Sequence, residues 1–442
     1  MMYISFIYTI TSVILSFKQQ IDKHISLKII FLMRVNIAGI LFLTALLVSC
    51  GEIKTAQIWT DRPELAVYCE YFNTIQNKYK VSVKYYEFPA IELEKSNNIP
   101  DIIVGSWLKN SHTGLYFNSI DSIFGAKKLS RSVFYPKLLA IGKIQRNQYL
   151  LPVSFNIPSL IFSKDRDQDM SNSFTIDFND IKTLGKDYNV ESRGAYTRMG
   201  FSPSWDNNFL FTVAVLSGAS FSEAFPVTWD SDALENSMDE LYRWTREINN
   251  NYQAEEDFIF KYFFEPPEKL IQSKRILFWY MDSRDLFTLS NDNMKNLDFR
   301  WIIENENVPI NEDMVFLGIP KKAKSRKAAR VFIQWFFRTD TQHTLMEYCR
   351  VNRINENVFG ICGGFSALSS VTEQIFPLFY PELLGRMPPS ENFMPPNMLP
   401  ANWAAIKERV ILPYLNDRAH SERAEDIYSL EKRLSDWMRT NK

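Results

Sequence analysis

The chain has 442 residues, of which 50 are lysine or arginine and 51 are aspartate or glutamate, and its formal net charge is −1. This balance gives no reason to expect a nucleic acid as a partner. With 34 phenylalanines, 20 tyrosines and 10 tryptophans, the composition is that of a folded protein with a large core rather than of a disordered tail or a fibre.

A secretory signal is predicted near the N-terminus. A short basic start at Met33 and Arg34 is followed by an apolar run over residues 41–49, which ends in a small residue directly before Cys50. Because a cysteine follows the predicted cleavage point, the segment resembles a bacterial lipoprotein signal. The resemblance implies that residues 33–49 are removed, and that Cys50 is lipidated and becomes the mature N-terminus.

Two alternatives to this interpretation stay open. The run could be an uncleaved anchor helix with an incidental Cys50, although it is shorter than the roughly 20 residues that a membrane span requires. Residues 1–32 are predicted to be an over-extended reading frame, since a lipoprotein signal normally begins a chain. The competing interpretation makes their apolar stretch, residues 3–17, an additional membrane segment.

The predicted mature chain holds few residues suited to metal binding or cross-linking. Removing four basic residues and one acidic residue with the signal changes the formal charge from −1 to −4. The remaining cysteines, Cys69, Cys349 and Cys362, are odd in number and lack the CxxC spacing of metal sites. Only Cys349 and Cys362 form a candidate disulfide, and no metal or other cofactor is expected.

The first elements after the signal predict a strand–turn–helix unit. A linker at residues 50–55 precedes an apolar strand at residues 56–60, and Asp61 is the candidate N-cap of the following helix, with Pro63 in its first turn. Apolar residues then recur at a helical spacing that places Leu65, Cys69 and Phe72 on one face.

Two further strands complete a β-α-β pattern. Residues 79–88 alternate between polar and apolar, and residues 100–104 form a short buried-strand pattern. This order predicts an α/β fold with a doubly wound sheet, in which ligands bind where strands end. Side chains that follow the two strands are therefore expected at one edge of the sheet: Asp61 and Arg62, and Ser106 and Trp107.

The segment 149–163 is apolar and is interrupted by Pro152 and Pro158. Two short strands joined end to end would carry the chain from one lobe to another, with Ser154 and Asn156 at the junction. The alternative is an ordinary core strand that is interrupted by a turn.

A later stretch resembles a known family. Residues 316–342 are similar to the late signature of the family 1 extracellular solute-binding proteins of ABC importers, the group of the maltodextrin-binding proteins. Gly318, Ile319 and Pro320 match its strand. Ser325 and Lys327 match the start of its helix, Gln342 opens the next helix, and the apolar helix face is matched by Ala328, Ala329, Phe332, Ile333 and Trp335. Earlier segments follow the family's order, so the resemblance extends from about residue 56 to residue 403.

The resemblance implies two α/β lobes joined by a multi-strand hinge, as in periplasmic binding proteins, which close on a ligand by rigid-body motion. The implied first lobe is residues 56–155 and 314–359, and the implied second lobe is residues 156–313 and 360–442. Residues 165–192 and 365–398 match the family poorly, which leaves the ligand class open.

The candidate ligand-binding residues are polar and aromatic side chains that are expected at the cleft. Trp279 and Tyr280 are neighbours on a predicted strand, where successive side chains point to opposite faces. Only one of the two is therefore expected to reach the ligand. For most of these residues, capping, hinge or core packing is an equally good explanation. The full set is Asp61, Arg62, Ser106, Trp107, Ser154, Asn156, Trp205, Asn207, Trp279, Tyr280, Asp282 and Trp403.

The predicted function is a lipid-anchored binding protein that captures a solute, with a sugar or oligosaccharide favoured, and delivers it to the membrane subunits of an ABC permease. It is expected to act as a monomer at the cell envelope, facing the periplasm or the exterior. One alternative is a ligand-sensing lipoprotein that signals to a membrane receptor. The other is a secreted glycoside hydrolase that would pair carboxylates such as Asp61 and Asp282. No common hydrolase or nucleotide-binding motif is present, so a binding protein rather than an enzyme is expected.

Overall fold

The computed structural model describes residues 54–125, 128–172 and 174–441. The predicted signal peptide and Cys50 lie outside these residues. Within them, no helix combines the length and the apolar composition that crossing a bilayer requires.

A six-stranded sheet organises the first part of the structure. Its strands are β1 (Lys54–Thr60), β2 (Tyr79–Tyr85), β3 (Ile102–Gly105), β4 (Leu150–Phe155), β9 (Val315–Gly318) and β10 (Phe365–Ser366), in the spatial order β10-β4-β9-β3-β1-β2. Strands β1 and β3 are parallel, whereas β9 is antiparallel to both β3 and β4. The sheet is therefore mixed, because the chain returns late to insert β9 in its middle.

A four-stranded sheet organises the second part. It consists of β5 (Pro158–Ser163), β6 (Thr175–Ile176), β7 (Trp279–Asp282) and β8 (Leu297–Ile302), in the order β7-β5-β8-β6. Strand β5 pairs antiparallel with β7 and β8, and β8 pairs parallel with β6.

Short two-stranded pairs and helices surround the sheets. The additional strands are Lys143–Ile144, Asn147–Gln148, Val190–Ser192, Ala195–Arg198, Ser222–Glu223, Val227–Thr228, Val308–Pro309 and Phe393–Met394. The α-helices are Leu65–Ile75, Pro89–Lys95, Thr113–Tyr116, Pro136–Ile141, Phe178–Tyr188, Asn207–Leu216, Ser231–Ile248, Tyr252–Phe260, Pro267–Gln272, Ser283–Leu286, Asn291–Met294, Arg326–Phe336, Thr339–Val351, Phe376–Phe379, Trp403–Ile406, Leu412–Ala419 and Leu430–Thr440.

The β-α-β unit forms as predicted, with one difference at the helix start. Helix Leu65–Ile75 buries Leu65, Cys69 and Phe72 in a hydrophobic core that also contains Ile58 and Phe332, as the apolar spacing indicates. Asp61 does not cap this helix, whose N-cap is Glu64. The Asp61 carboxylate instead accepts a hydrogen bond from the backbone N–H of Ser106, 3.1 Å away.

The predicted crossing at residues 149–163 is present. Strand β4 lies in the six-stranded sheet and β5 in the four-stranded sheet, and the two are separated by Asn156 and Ile157. Both strands are almost entirely buried, which explains their unbroken apolar sequence.

The late signature also folds as the pattern indicates. Strand β9 is followed by helix Arg326–Phe336, which buries its apolar face, and then by helix Thr339–Val351. Strand β10 pairs with β4 in the first sheet. This placement differs from the predicted lobe division, which assigned residues 360–442 to the second lobe. Residues 365–366 belong to the first sheet because they pair with β4 along the edge that β9 leaves free.

Cys69, Cys349 and Cys362 are buried free thiols. The candidate disulfide between Cys349 and Cys362 is therefore not formed in this structure. Burial raises the pKa of Cys349 to about 11.

One buried carboxylate links β1 to the late signature. Asp101 accepts hydrogen bonds from the backbone N–H groups of Gln57, at 3.0 Å, and of Lys324 and Ser325, at 2.7 and 2.6 Å. It therefore satisfies free donors where the chain turns into helix Arg326–Phe336.

We expect Asp101→Ala to lower the free energy of unfolding by about 3 kcal/mol, because several backbone donors lose a partner in a buried place. Urea denaturation measures this change. Asp101→Asn is the matched control, which keeps one acceptor oxygen and should lose less. A change in Asp101→Ala below about 0.5 kcal/mol would contradict the assigned role.

Candidate functional site

A cavity of about 500 Å³ lies where the loop after β3 meets the end of β7 and the segment that leads back to β9. The loop contributes Trp107, strand β7 contributes its whole length, and the returning segment contributes Asn311, Glu312 and Asp313. Helix Asn207–Leu216 and the chain around residues 404–412 complete the wall. The lining thus combines flat aromatic faces with hydrogen-bonding groups, the composition of a small-molecule site.

Three nearly parallel rings support the aromatic wall. Trp205 lies between Phe258 and Trp279, with ring centroids 6.0 and 5.8 Å away and interplanar angles of 18° and 19°. Trp279 lines the cavity, whereas Trp205 packs behind it. The turn that carries Trp205 is itself fixed, because the hydroxyl of Ser204 donates to the buried carboxyl of Glu255 at 3.1 Å.

The cavity is rich in carboxylates. Its two cationic side chains are already paired, Arg284 with Asp313 and Lys407 with Glu312. The acidic lining residues are Asp206, Asp282, Asp285, Glu312, Asp313 and Glu408. The site therefore presents many hydrogen-bond acceptors and an excess of negative charge, which opposes binding of phosphorylated or carboxylated ligands.

Asp282 and Asp313 have pKa shifts in opposite directions. Burial raises the pKa of Asp282 to about 6, although Arg284 acts in the opposite direction. Burial also acts to raise the pKa of Asp313, but the guanidinium groups of Arg284 and Arg62 outweigh it and hold that pKa below its ordinary value. Asp282 also caps helix Ser283–Leu286 and accepts a 3.2 Å hydrogen bond from the Asn311 amide.

Trp107, Trp279, Tyr280 and Asp282 line the cavity among the residues predicted from sequence. Both Trp279 and Tyr280 reach it, although strand alternation predicts only one. Helix Asn207–Leu216 brings Thr212 to the same wall, where its hydroxyl lies 3.3 Å from that of Tyr280.

Asp61, Arg62 and Ser106 form a network beside the cavity rather than part of its lining. The Arg62 guanidinium donates to the Ser106 hydroxyl at 2.6 Å, and that hydroxyl donates to the backbone carbonyl of Asp313 at 2.7 Å. Burial raises the pKa of Asp61, against the effect of Arg62. These side chains hold the returning segment, and with it Asp313, in the cavity wall.

Ser154 and Asn156 lie at the crossing between the sheets and do not line the cavity. The Ser154 hydroxyl donates to the carbonyl of Cys362 at 3.1 Å. The Asn156 amide donates to the carbonyl of Gly363 at 2.9 Å and accepts from the hydroxyl of Ser283 at 2.7 Å. Their side chains thus serve the crossing, one of the two roles left open by the sequence.

Asn207 and Trp403 also lie away from the cavity lining. Asn207 accepts a 2.9 Å hydrogen bond from the amide of Asn416. Trp403 has no exposed surface and packs against Phe211 and Phe221, with ring centroids 6.2 and 5.8 Å away. Of the two roles that the sequence left open for Trp403, a ligand contact and packing of its helix, the structure has packing.

Sequence reasoning missed several lining residues. Asp206 and Asn208 flank the predicted Asn207, and Arg284 and Asp285 follow the predicted Asp282, so their neighbours signalled the right loops. Glu312 and Asp313 lie just before β9, separated from it by Met314, and could have been found as the point of return to the first sheet. Ala404 follows the predicted Trp403, whereas Lys407, Glu408 and Leu412 carry no comparable signal.

The described residues contain no group of three or more histidine, cysteine, aspartate or glutamate side chains placed to hold a metal ion. The carboxylate pair considered for glycoside hydrolysis is not assembled in the cavity lining either, because Asp282 lines it and Asp61 does not.

No protein-family profile matches the chain, and no curated protein matches it. Solved structures do. An ABC substrate-binding protein from Listeria monocytogenes in complex with cycloalternan is 15% identical with a TM-score of 0.59, over 88% of this chain and 98% of the other. A cyclic alpha-maltosyl-1,6-maltose binding protein from Arthrobacter globiformis is 13% identical with a TM-score of 0.57, over 87% and 96%.

A receptor from Streptomyces glaucescens, solved unliganded and in complex with acarbose, is 14% identical with a TM-score of 0.55, over 88% of this chain and 98% of the other. At such identities the likeness establishes the fold. The predicted α/β, periplasmic-binding-protein-like fold is therefore confirmed.

The raised pKa of Asp282 gives a stability prediction. A carboxyl whose pKa is raised by folding binds more protons in the folded state, so its ionisation costs stability as the pH rises from about 4 to about 6. Asp282→Asn should remove this loss, while asparagine keeps the helix cap. We expect the variant to gain stability relative to the wild type between pH 4 and pH 7, measured by urea denaturation across that range.

The comparison isolates Asp282, because the other buried carboxyls are present in both proteins. A constant stability difference between the two proteins over the whole range would contradict the raised pKa.

Proposed function

We propose that this protein is the solute-binding component of an ABC importer, and that it captures a neutral oligosaccharide in the cavity described above. The main support is the cavity itself, which has Trp107 from one sheet's loop, Trp279 from the other sheet's edge strand and a surrounding set of acceptor groups. Aromatic faces pack against the C–H faces of sugar rings, and carboxylates accept hydrogen bonds from their hydroxyls.

The structural neighbours support the same ligand class, since their own ligands include cycloalternan, a cyclic maltosyl-maltose and acarbose. The charge of the site supports a neutral ligand. Its cations are paired and its carboxylates are in excess, so a sugar phosphate would add unfavourable negative charge.

The position of the cavity suggests how the ligand is held. Trp107 follows β3 of the first sheet, whereas strand β7 belongs to the second. A small rotation about the crossing strands would bring these walls together over a ligand, as hinge closure does in two-lobed binding proteins. The closed form would then deliver the sugar to membrane permease subunits, with the protein acting as a monomer.

The chain should show ligand-dependent thermal stability. We expect residues 50–442 carrying Cys50→Ser to unfold at a higher temperature with one member of a panel of neutral oligosaccharides. Ligand at 100 times its Kd adds about 2.7 kcal/mol to the stability of the native state. Differential scanning fluorimetry measures the shift, and sugar phosphates should give none.

Trp279→Ala should abolish the shift. Trp437→Ala is the matched control, because Trp437 packs against a hydrophobic cluster that includes Tyr414 and Leu415 and does not line the cavity. A shift with peptides alone would contradict the sugar assignment. Turnover of a glycoside would contradict the binding-protein assignment.

We further propose that Cys50 carries the lipid anchor and places the protein at the cell envelope. In a bacterial host, metabolic labelling with a fatty acid should mark the wild-type chain and not Cys50→Ser, and mass measurement should find a mature chain that starts at Cys50. A mature chain that retains Met1 would contradict this proposal.

A further inference from the structure

An exposed group of aromatic side chains lies at the C-terminal end of helix Tyr252–Phe260 and in the turn after it. Phe260, Phe263 and Phe264 expose 77%, 73% and 94% of their surface. Isolated exposed apolar side chains are common, but three phenylalanines within five residues make a patch that favours water exclusion by a partner or ligand.

The turn that carries these rings is held by its backbone. The N–H of Tyr262 donates to the carbonyl of Ile259 at 3.0 Å, and the N–H of Glu265 donates to the carbonyl of Tyr262 at 2.8 Å. Pro266 and Pro267 then lead into helix Pro267–Gln272, whose buried Leu270 anchors it. The rings of Phe263 and Phe264 are thus presented from a fixed support.

The patch borders a groove of about 420 Å³ that adjoins the main cavity through one ring. Trp279 lines both the groove and the cavity. The rest of the groove is apolar apart from Glu265 and the tyrosine hydroxyl, and its walls include Ile259, Tyr262, Phe263, Phe264 and Leu270. The cavity and the groove therefore share the Trp279 side chain as a common wall.

We propose that this groove is an outer subsite that takes further sugar rings of the same ligand, so that the protein binds extended oligosaccharides rather than mono- or disaccharides. The proposal rests on the proposed function. With few hydrogen-bonding groups, the groove suits the C–H faces of sugar rings, while their hydroxyl edges stay in water. The shared Trp279 wall, which places the groove beside the main cavity, favours this occupant over a protein partner.

The experiment uses residues 50–442 with Cys50→Ser. The ligands are ladders, that is, length series from disaccharide to heptasaccharide, of linear gluco-oligosaccharides and manno-oligosaccharides with α or β linkages. Binding is measured by titration calorimetry. In the otherwise unchanged protein, Kd should fall as the chain lengthens past the units that the main cavity holds. The double variant Phe263→Ala and Phe264→Ala should weaken binding of the long members by about tenfold and leave the short members unchanged.

Leu384→Ala is the control, since Leu384 is 75% exposed and lies outside both the cavity and the groove. It should bind every member as the unsubstituted protein does. Phe264→Ala alone provides a second variant, because a ring that is 94% exposed contributes little to folding.

The outcomes separate the two proposals. Binding that is independent of chain length, or equal affinity of the double variant and the unsubstituted protein for the long members, would overturn the outer subsite and leave the sugar-binding function intact. Absence of binding by every member of both ladders would overturn the function together with the subsite.

Discussion

The structure depends on the passage of the chain between its two sheets at Asn156. The main-chain carbonyl of this residue accepts from the N–H of Asn311 at 2.9 Å, and its side chain bonds to Ser283 and to the carbonyl of Gly363. One buried residue thus joins the end of β4, the helix after β7, the segment returning to β9 and the loop before β10. Loss of any of these hydrogen bonds would leave a buried polar group without a partner, which lowers the free energy of unfolding because no water can replace the partner.

The same constraint determines the electrostatics of the cavity. The returning segment carries Asp313 next to Arg284, while Ser106 and Arg62 reach it from the first sheet. Such charges are stable at low exposure only when they are paired and hydrogen-bonded. Because both cationic side chains of the cavity are held in ion pairs, the remaining charged groups of its lining are carboxylates. The residues that join the two sheets therefore also leave the cavity lined mainly by hydrogen-bond acceptors.

Local sequence patterns were good guides to elements and poor guides to the roles of single side chains. The helix Leu65–Ile75 and the helix after β9 follow from apolar spacing, because each buries one face. The strands β4 and β5 follow from their unbroken apolar runs, because both of their faces are buried. Trp403 and Trp279 show the limit. Both follow plausible loop or strand signals, but Trp403 is enclosed by Phe211 and Phe221, whereas Trp279 lies at the end of a stack and faces the cavity. Which tryptophan is enclosed depends on helices far away in the chain.

By itself the sequence determined the α/β class and the β-α-β start, and it offered the crossing at residues 149–163 and four of the cavity residues as candidates, since these depend on periodicity and on strand ends. The tertiary structure alone decided that Asp61, Arg62 and Ser106 support the wall, that residues 404–412 close it, and that β10 returns to the first sheet. The physical reason is separation along the chain. Burial, pairing and cavity shape are sums over contacts between distant segments, whereas a sequence pattern reports only on neighbours a few residues apart.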